Sequence, residues 1–501
     1  MSLAIVHSRA KLGIQAPLVS VEVHLANGMP SMTLVGLPET AVRESKDRVR
    51  SALSNSQLDF PGLKRITINL APADLPKEGG RFDLAIALGL LCASGQIDAR
   101  VLADYECLGE LALSGGLRPI QGVLPAALAC REAGRSLLVP SDNAQEAALV
   151  RGLTVITADH LLDLVAHLRG ETPLSAFSAS TPATAEAYPD LSDVQGQAQA
   201  KRALQVAASG GHNLLLFGPP GTGKTLLASR LPGILPPLSE QQALEVAAIQ
   251  SICGQGPLQH WPRRPFRAPH HGASAAALVG GGSQPRPGEV SQAHQGVLFL
   301  DELPEFDRKV LEMLREPLES GQIHIARARE QLTFPARFQL IAAMNPCPCG
   351  YQGDPSGRCT CTPEQISRYR SKLSGPLLDR IDLHLPMHNE PVRLRQQAPA
   401  KPDSATTAAL VAAAQKCQLQ RQGCLNAHLG LAGLREHCTL NETDANWLEQ
   451  AIERLGLSHR ASHRVLKVAR TVADLAAVAQ IARPHLAEAL QYRQLDRQAN
   501  Q

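Results

Sequence analysis

Three stretches of the sequence predict an α/β fold built on a parallel sheet. The first is Gly218-Pro219-Pro220-Gly221-Thr222-Gly223-Lys224-Thr225, a G-x-x-x-x-G-K-T run. It follows the apolar pattern Asn213-Leu214-Leu215-Leu216-Phe217 and precedes residues 226–231 at helical spacing, so it lies where a buried strand feeds a helix. The second, Gly296-Val297-Leu298-Phe299-Leu300-Asp301-Glu302, is a short apolar strand pattern ending in two carboxylates. The third, Phe338-Gln339-Leu340-Ile341-Ala342-Ala343-Met344, is another such strand and ends at Asn345.

With 501 residues, 44% of them hydrophobic, the chain is long enough for about three separately cored domains. Residues 1–170 mix alternating strand patterns, such as those at 19–25 and 65–70, with helix-like segments at 41–53 and 83–92, and predict an α+β domain. Residues 171–189 are small, polar and proline-punctuated and read as a linker. The α/β core then occupies 190–385, a Pro- and Gln-containing connector 386–404, and a segment of helical pattern throughout 405–501. With 49 basic against 46 acidic residues, the net charge is only +3, so any surface for nucleic acid must be local. No charged leader followed by a long apolar run is present, and no stretch reaches membrane-spanning length. The expectation is a soluble, cytoplasmic protein without a membrane partner. Seven scattered cysteines (92, 107, 130, 253, 417, 424 and 438) read as reduced thiols.

Within the first domain, residues 75–87, Leu-Pro-Lys-Glu-Gly-Gly-Arg-Phe-Asp-Leu-Ala-Ile-Ala, resemble the segment of the Lon-protease catalytic fold that bears a nucleophilic serine. Arg81 stands at that position. Residues 115–125, Gly-Gly-Leu-Arg-Pro-Ile-Gln-Gly-Val-Leu-Pro, resemble the stretch bearing its activating lysine, with Leu124 in the place of the lysine. A Ser–Lys dyad needs a hydroxyl and an amine of lowered pKa, and neither is offered. The resemblance implies a Lon-protease-like (ribosomal S5 domain 2-like) α+β platform for assembly or substrate contact, without protease chemistry. An unrelated α+β domain is the alternative.

The chemistry of the core follows from its motifs. Glycines in 218–225 let backbone N–H groups close around phosphate oxygens, Lys224 adds a point charge at the β- and γ-phosphates, and the Thr225 hydroxyl completes a Mg²⁺ shell. A Gly/Pro-rich turn is the alternative, opposed by strand, helix and Lys-Thr in register. Asp301 is expected to bind Mg²⁺ directly or through water, and Glu302 to act as general base on the attacking water. Asn345 can hold that water or sense the γ-phosphate, the sensor-1 role in AAA+ proteins. Residues 191–197 lie where those proteins put the loop that touches adenine.

Leu377-Leu378-Asp379-Arg380-Ile381-Asp382-Leu383 resembles the arginine-finger motif of magnesium-chelatase and replicative-helicase relatives. Such a finger stabilises charge on the transferred phosphoryl group from a neighbouring subunit; the alternative for Arg380 is an ion pair with Asp379 or Asp382. Together with Asn345-Pro346-Cys347-Pro348-Cys349-Gly350, the run at 373–383, and Leu457-Ser458-His459-Arg460-Ala461-Ser462-His463-Arg464, these motifs resemble the magnesium-chelatase-like AAA+ proteins of the ComM/YifB type over nearly the whole chain. The resemblance implies an AAA+ P-loop NTPase core with a C-terminal helical lid, a hexameric ring using ATP and Mg²⁺, and a helicase that drives DNA branch migration in natural transformation. It implies a sensor-2 role for Arg460, for which a solvated helix arginine is the alternative.

Two segments are candidates for contact with single-stranded or branched DNA. Residues 265–283, with His270 and His271, resemble the insertion that projects into the ring pore and are too glycine-rich for a packed core. Residues 319–334 read as a hairpin, and Arg327 and Arg329, at strand spacing, present two cations from one face. Two solvated edge-strand arginines are the alternative. Aromatics make up 3% of the chain, so phosphate contacts rather than base stacking must dominate. Finally, Cys347-x-Cys349 and Cys359-x-Cys361 flank a tight loop and can converge on a structural Zn²⁺; disulfides and free thiols are the alternatives. A motor or chaperone that remodels a protein partner is the competing function.

Overall fold

The computed structural model describes residues 3–178, 187–256, 261–282, 285–326, 331–355, 357–389 and 403–493. Two units share the chain: Met1–Ala185 with Glu240–Pro262 and Ala328–Leu332, and Glu186–Ser239 with Arg263–Arg327 and Thr333–Gln501. Among the described residues no helix is long and apolar enough to cross a membrane.

In the first unit the alternation of residues 18–26 holds: Val19, Val21 and Val23 are buried, and Ser20, Glu22 and His24 are not. The strand Leu18–Ala26 lies third in a seven-stranded mixed sheet ordered Ser31–Val35, Arg65–Ala71, Leu18–Ala26, Leu3–Arg9, Tyr105–Cys107, Ser136–Pro140, Val155–Ala158. All eleven residues of the helix Asp83–Ala93 are buried against it. Gly89 makes this approach possible, since a Cβ there would lie 2.7 Å from Val23 Cγ2.

Arg81 is buried, and its Nη2 donates to the carbonyls of Gln121 at 3.2 Å and Gly122 at 3.4 Å. Burial pushes its pKa down to about 10. The segments carrying Arg81 and Leu124 therefore adjoin. The helix Glu240–Ile252, read from sequence as part of 190–385, packs within this unit. Its Leu244, Ala247 and Ala248 share a core with Leu124, Ala127 and Val155, and Gly122 N–H donates to Ser251 O at 3.2 Å.

The second unit holds a five-stranded, all-parallel sheet in the order Phe266–Arg267, Val297–Leu300, Gln339–Met344, Leu214–Phe217, Leu383–Pro386. The phosphate-loop strand is thus interior, and all four of its residues are buried, as expected for a strand covered on both faces. Residues 265–282 depart from the expectation of an unpacked segment. Phe266 joins the sheet edge and stacks on Phe299 with ring centroids 6.0 Å apart; Leu278 and Val279 are buried. Helices Ser404–Gln422, Leu431–His437, Glu442–Leu455, His459–Leu475 and Arg483–Gln491 form the helical C-terminal region. Its Val411, Val465, Val468 and Leu486 share one core with Leu216, Phe299 and Ile341 of the sheet.

One buried carboxylate ties sheet to helices. Asp382, 2% exposed, accepts from Arg464 Nη1, contacts His212 Nδ1 at 3.3 Å and accepts from Asn213 N–H at 3.1 Å. Burial alone would raise its pKa, but the guanidinium of Arg464 and the His212 ring outweigh it and hold the group well below the usual carboxylate range. Asp382→Ala is expected to cost about 3–5 kcal/mol, the range for removing one member of a buried ion pair, read as a lowered denaturation midpoint at pH 7. With its folded pKa depressed, Asp382 contributes fully above the unfolded value of about 3.9 and loses that contribution as pH falls below it. The gap between wild type and variant should therefore narrow in acid.

Candidate nucleotide site

The phosphate loop joins the strand Leu214–Phe217 to the short helix Lys224–Ala228. Its glycines are required for two different reasons. A Cβ at Gly218 would lie 2.2 Å from Met387 O, whereas Gly221 and Gly223 have open space but left-handed backbones at φ +81° and +84°. Thr222 Oγ1 donates to Pro219 O at 3.0 Å and closes the turn. Lys224 is buried, and its Nζ donates to Gly218 O at 2.7 Å, Pro219 O at 2.9 Å and Asn345 Oδ1 at 3.2 Å. Burial pushes its pKa down, while the Asp301 carboxylate pulls it up. An ammonium held by weak carbonyl partners in a partly dry loop is poised to exchange them for an anion.

The carboxylate strand Val297–Leu300 runs two positions away in the sheet and ends beside the loop. Thr225 Oγ1 donates to Asp301 Oδ2 at 2.7 Å, and Asp301 Oδ1 accepts from Glu302 N–H at 2.9 Å. This hydroxyl–carboxylate pair on an open edge is a donor set that suits a hard cation retaining several waters. Glu302 has a left-handed backbone, φ +51°, a conformation that costs energy in a non-glycine residue and concentrates at functional sites. Its Oε2 lies 3.1 Å from His271 Nδ1, and the His271 ring packs on His270 with centroids 4.1 Å apart. The structure thus brings Lys224, Thr225, Asp301, Glu302 and Asn345 together and adds His271, a residue read from sequence only as a DNA contact. No sequence pattern links positions 271 and 302; only the pairing of Phe266–Arg267 with the carboxylate strand does.

Arg380 and Arg460 meet elsewhere. Both line a cavity of about 270 Å³ with Arg464, Lys467, Glu319 and Asp379, and the lining includes none of the phosphate-loop residues. Arg380 is buried; its Nη2 pairs with Glu319 Oε1 at 2.5 Å and its Nη1 donates to Pro376 O at 2.6 Å. Of the two partners weighed from sequence, Asp382 belongs instead to Arg464 and His212. Burial, against the pull of Glu319, lowers the Arg380 pKa, and the nearby Arg315, Arg460 and Arg464 lower it further. Among the described residues Arg460 makes no hydrogen bond or ion pair, and it remains a free cation beside Arg380.

The strands Gln322–Ala326 and Gln331–Pro335 form the expected hairpin. Arg327 and Arg329 lie outside the described residues. Cys347, Cys349, Cys359 and Cys361 converge, with sulfur atoms all within 4.8 Å of one another, and none of the eleven cysteines forms a disulfide.

Comparison with known proteins matches the sequence to a family. Residues 190–395 match the magnesium chelatase subunit ChlI family, residues 21–143 the family described as subunit ChlI of Mg-chelatase, and residues 401–493 its C-terminal family. Over 99% of this chain and 98% of theirs, the YifB protein of Salmonella typhimurium is 55% identical and the competence protein ComM of Haemophilus influenzae 52% identical. An MCM-type protein of Methanocaldococcus jannaschii is 28% identical across 36% of this chain and 20% of its own. A phosphate loop on an interior parallel strand, the Asp301 carboxylate beside it and these full-length matches place the chain in the magnesium-chelatase-like AAA+ family of the YifB and ComM proteins.

Proposed function

We propose that this chain is an ATPase that assembles into a hexameric ring and drives branch migration of DNA recombination intermediates, in natural transformation. The observation that carries the hydrolytic reading is the convergence of Lys224, Thr225, Asp301 and Asn345 on one loop, with Glu302 beside them. In this reading Lys224 leaves its carbonyl partners for the phosphates, Asn345 orients the attacking water, and Glu302 takes its proton. Thr225 and Asp301 hold Mg²⁺, which neutralises charge on the phosphate oxygens. Arg380 and Arg460, sharing a basic cavity apart from their own phosphate loop, serve the nucleotide of a neighbouring subunit, which makes a ring necessary for turnover.

The DNA half is supported by the relatives, one named for competence and one of MCM type. The first unit acts as a Lon-like platform. Arg81 beside the 121–124 segment, where a serine and a lysine would stand, supports that fold and leaves it no nucleophile. The contact of His271 with Glu302 links the two halves: a ligand that engages residues 265–282 acts on the histidine that holds the base.

Hydrolysis by the purified protein, with and without four-way-junction DNA, tests the proposal. Salt-sensitive stimulation is expected, and Lys224→Ala and Glu302→Gln should each remove it, the second by about 10²–10⁴-fold in turnover with nucleotide binding retained. Basal hydrolysis indifferent to DNA in an assembled ring would instead favour a motor acting on a protein. Arg327→Ala with Arg329→Ala should weaken DNA binding and reduce the slope of log affinity against log salt by about two, one per phosphate contact. His271→Ala should raise basal turnover and blunt DNA stimulation at unchanged nucleotide affinity; a variant with wild-type stimulation would remove His271 from the coupling.

A further inference from the structure

The cysteine loop is physically part of the nucleotide site. Cys347 follows Asn345 by two residues at the end of the sheet strand Gln339–Met344. Cys361 immediately precedes Thr362, whose side chain caps the helix Pro363–Arg370 in a reciprocal capping box with Gln365. The loop is therefore anchored at both ends. Between them, the backbone-to-backbone hydrogen bonds formed by the described residues are local turns: Gly350 to Cys347, Asp354 to Tyr351 and Gly357 to Asp354. Among the described residues neither a strand ladder nor an apolar cluster holds its shape.

The four sulfurs supply what is missing. Sγ separations are 3.3 Å for Cys347–Cys349, 3.8 Å for Cys347–Cys359 and 3.6 Å for Cys349–Cys359. Four thiolates placed tetrahedrally at about 2.3 Å from zinc stand about 3.8 Å apart. Backbone N–H groups point at the sulfurs: those of Tyr351 and Thr360 at Cys349, and that of Cys361 at Cys359. Such donors orient the sulfur lone pairs.

The same loop touches the phosphate loop. At Gly350, φ +85°, a Cβ would lie 2.9 Å from Pro220 Cδ and 3.8 Å from Asn345 Cγ. Asn345 in turn accepts from Lys224. On the other side, Arg370 from the capped helix donates to Pro346 O at 3.3 Å and to Gln352 Oε1 at 2.9 Å. Asn345 and Pro220 are thus confined by a loop whose own shape depends on its sulfurs.

We propose that Cys347, Cys349, Cys359 and Cys361 hold one zinc ion, and that this ion, by fixing the loop against Pro220, positions Asn345 for hydrolysis. The coupling rests on the ATPase reading above; the metal site does not. Asn345 acts on the water, so its displacement affects turnover more than binding, and a misplacement of about 1 Å costs about a hundredfold.

The test uses the full-length protein. Metal analysis should find one zinc per chain, and Co²⁺ exchanged into the site should give thiolate-to-metal charge-transfer absorption. Removal of zinc with a chelator should lower kcat by about a hundredfold, leave nucleotide affinity within a few-fold, and be reversed by Zn²⁺ but not by added Mg²⁺. Gly350→Ala should lower kcat while retaining the metal. Cys359→Ser should lose the metal and turnover together; should that variant fail to fold, chelation and reconstitution of the wild type decide alone. A fully active protein purified without metal, or turnover unchanged when zinc is stripped, overturns the proposal. Zinc at one per chain with no hydrolysis under any condition overturns the ATPase reading and the coupling, and leaves the metal site standing.

Discussion

Much of the second unit depends on the burial of Asp382. A carboxylate withdrawn from water is tolerable only if it is surrounded by donors, and its donors come from two distant parts of the chain: His212 and Asn213 at the start of the phosphate-loop strand, and Arg464 in the helical region. Asn213 also donates through Nδ2 to Arg380 O at 2.9 Å and accepts from Leu340 N–H at 2.9 Å. The base of the phosphate-loop strand, the backbone that carries Arg380 and the helix that carries Arg460 are consequently one hydrogen-bonded body. The helical region is not an appendage: it supplies core to the sheet and a counter-charge to its buried acid.

From that frame the groups proposed for catalysis are presented on two separate surfaces. Lys224, Thr225, Asp301, Glu302 and Asn345 open at the phosphate loop, while Arg380 and Arg460 face their own cavity. Under the proposed ring assembly, a second copy of the chain would bring the two sets together. The sheet sets this division, because strand order fixes which loop ends are neighbours: the carboxylate and Asn345 strands lie on one side of the phosphate-loop strand and the strand after Arg380 on the other.

What was legible in the sequence were features written within a few residues. A strand, a glycine loop and a helix in register announce themselves because their chemistry is local, and so do an apolar tetrapeptide ending in Asp301-Glu302 or an alternating stretch such as 19–25. What depended on tertiary choice was not legible. The apolar residues of 240–252 do not say which core receives them. The glycines of 265–282 read as an exposed insertion, yet within it Phe266 packs on the core of the sheet and Leu278 is buried. His271 and Glu302 meet only because of that pairing, and the partner of Arg380 was Glu319, about 60 residues upstream, rather than the adjacent acids.

The glycines of the phosphate loop carry different tolerances to change. Position 218 is limited by volume, since the carbonyl of Met387 occupies the place of any side chain and no choice of amino acid relieves the collision. Positions 221 and 223 are limited only by handedness. Asparagine and aspartate enter left-handed backbone most readily, but an aspartate would set a negative charge where phosphate belongs. Asparagine is therefore the one replacement through which the loop can drift at 221 or 223 while keeping its shape, whereas 218 is closed to neutral variation.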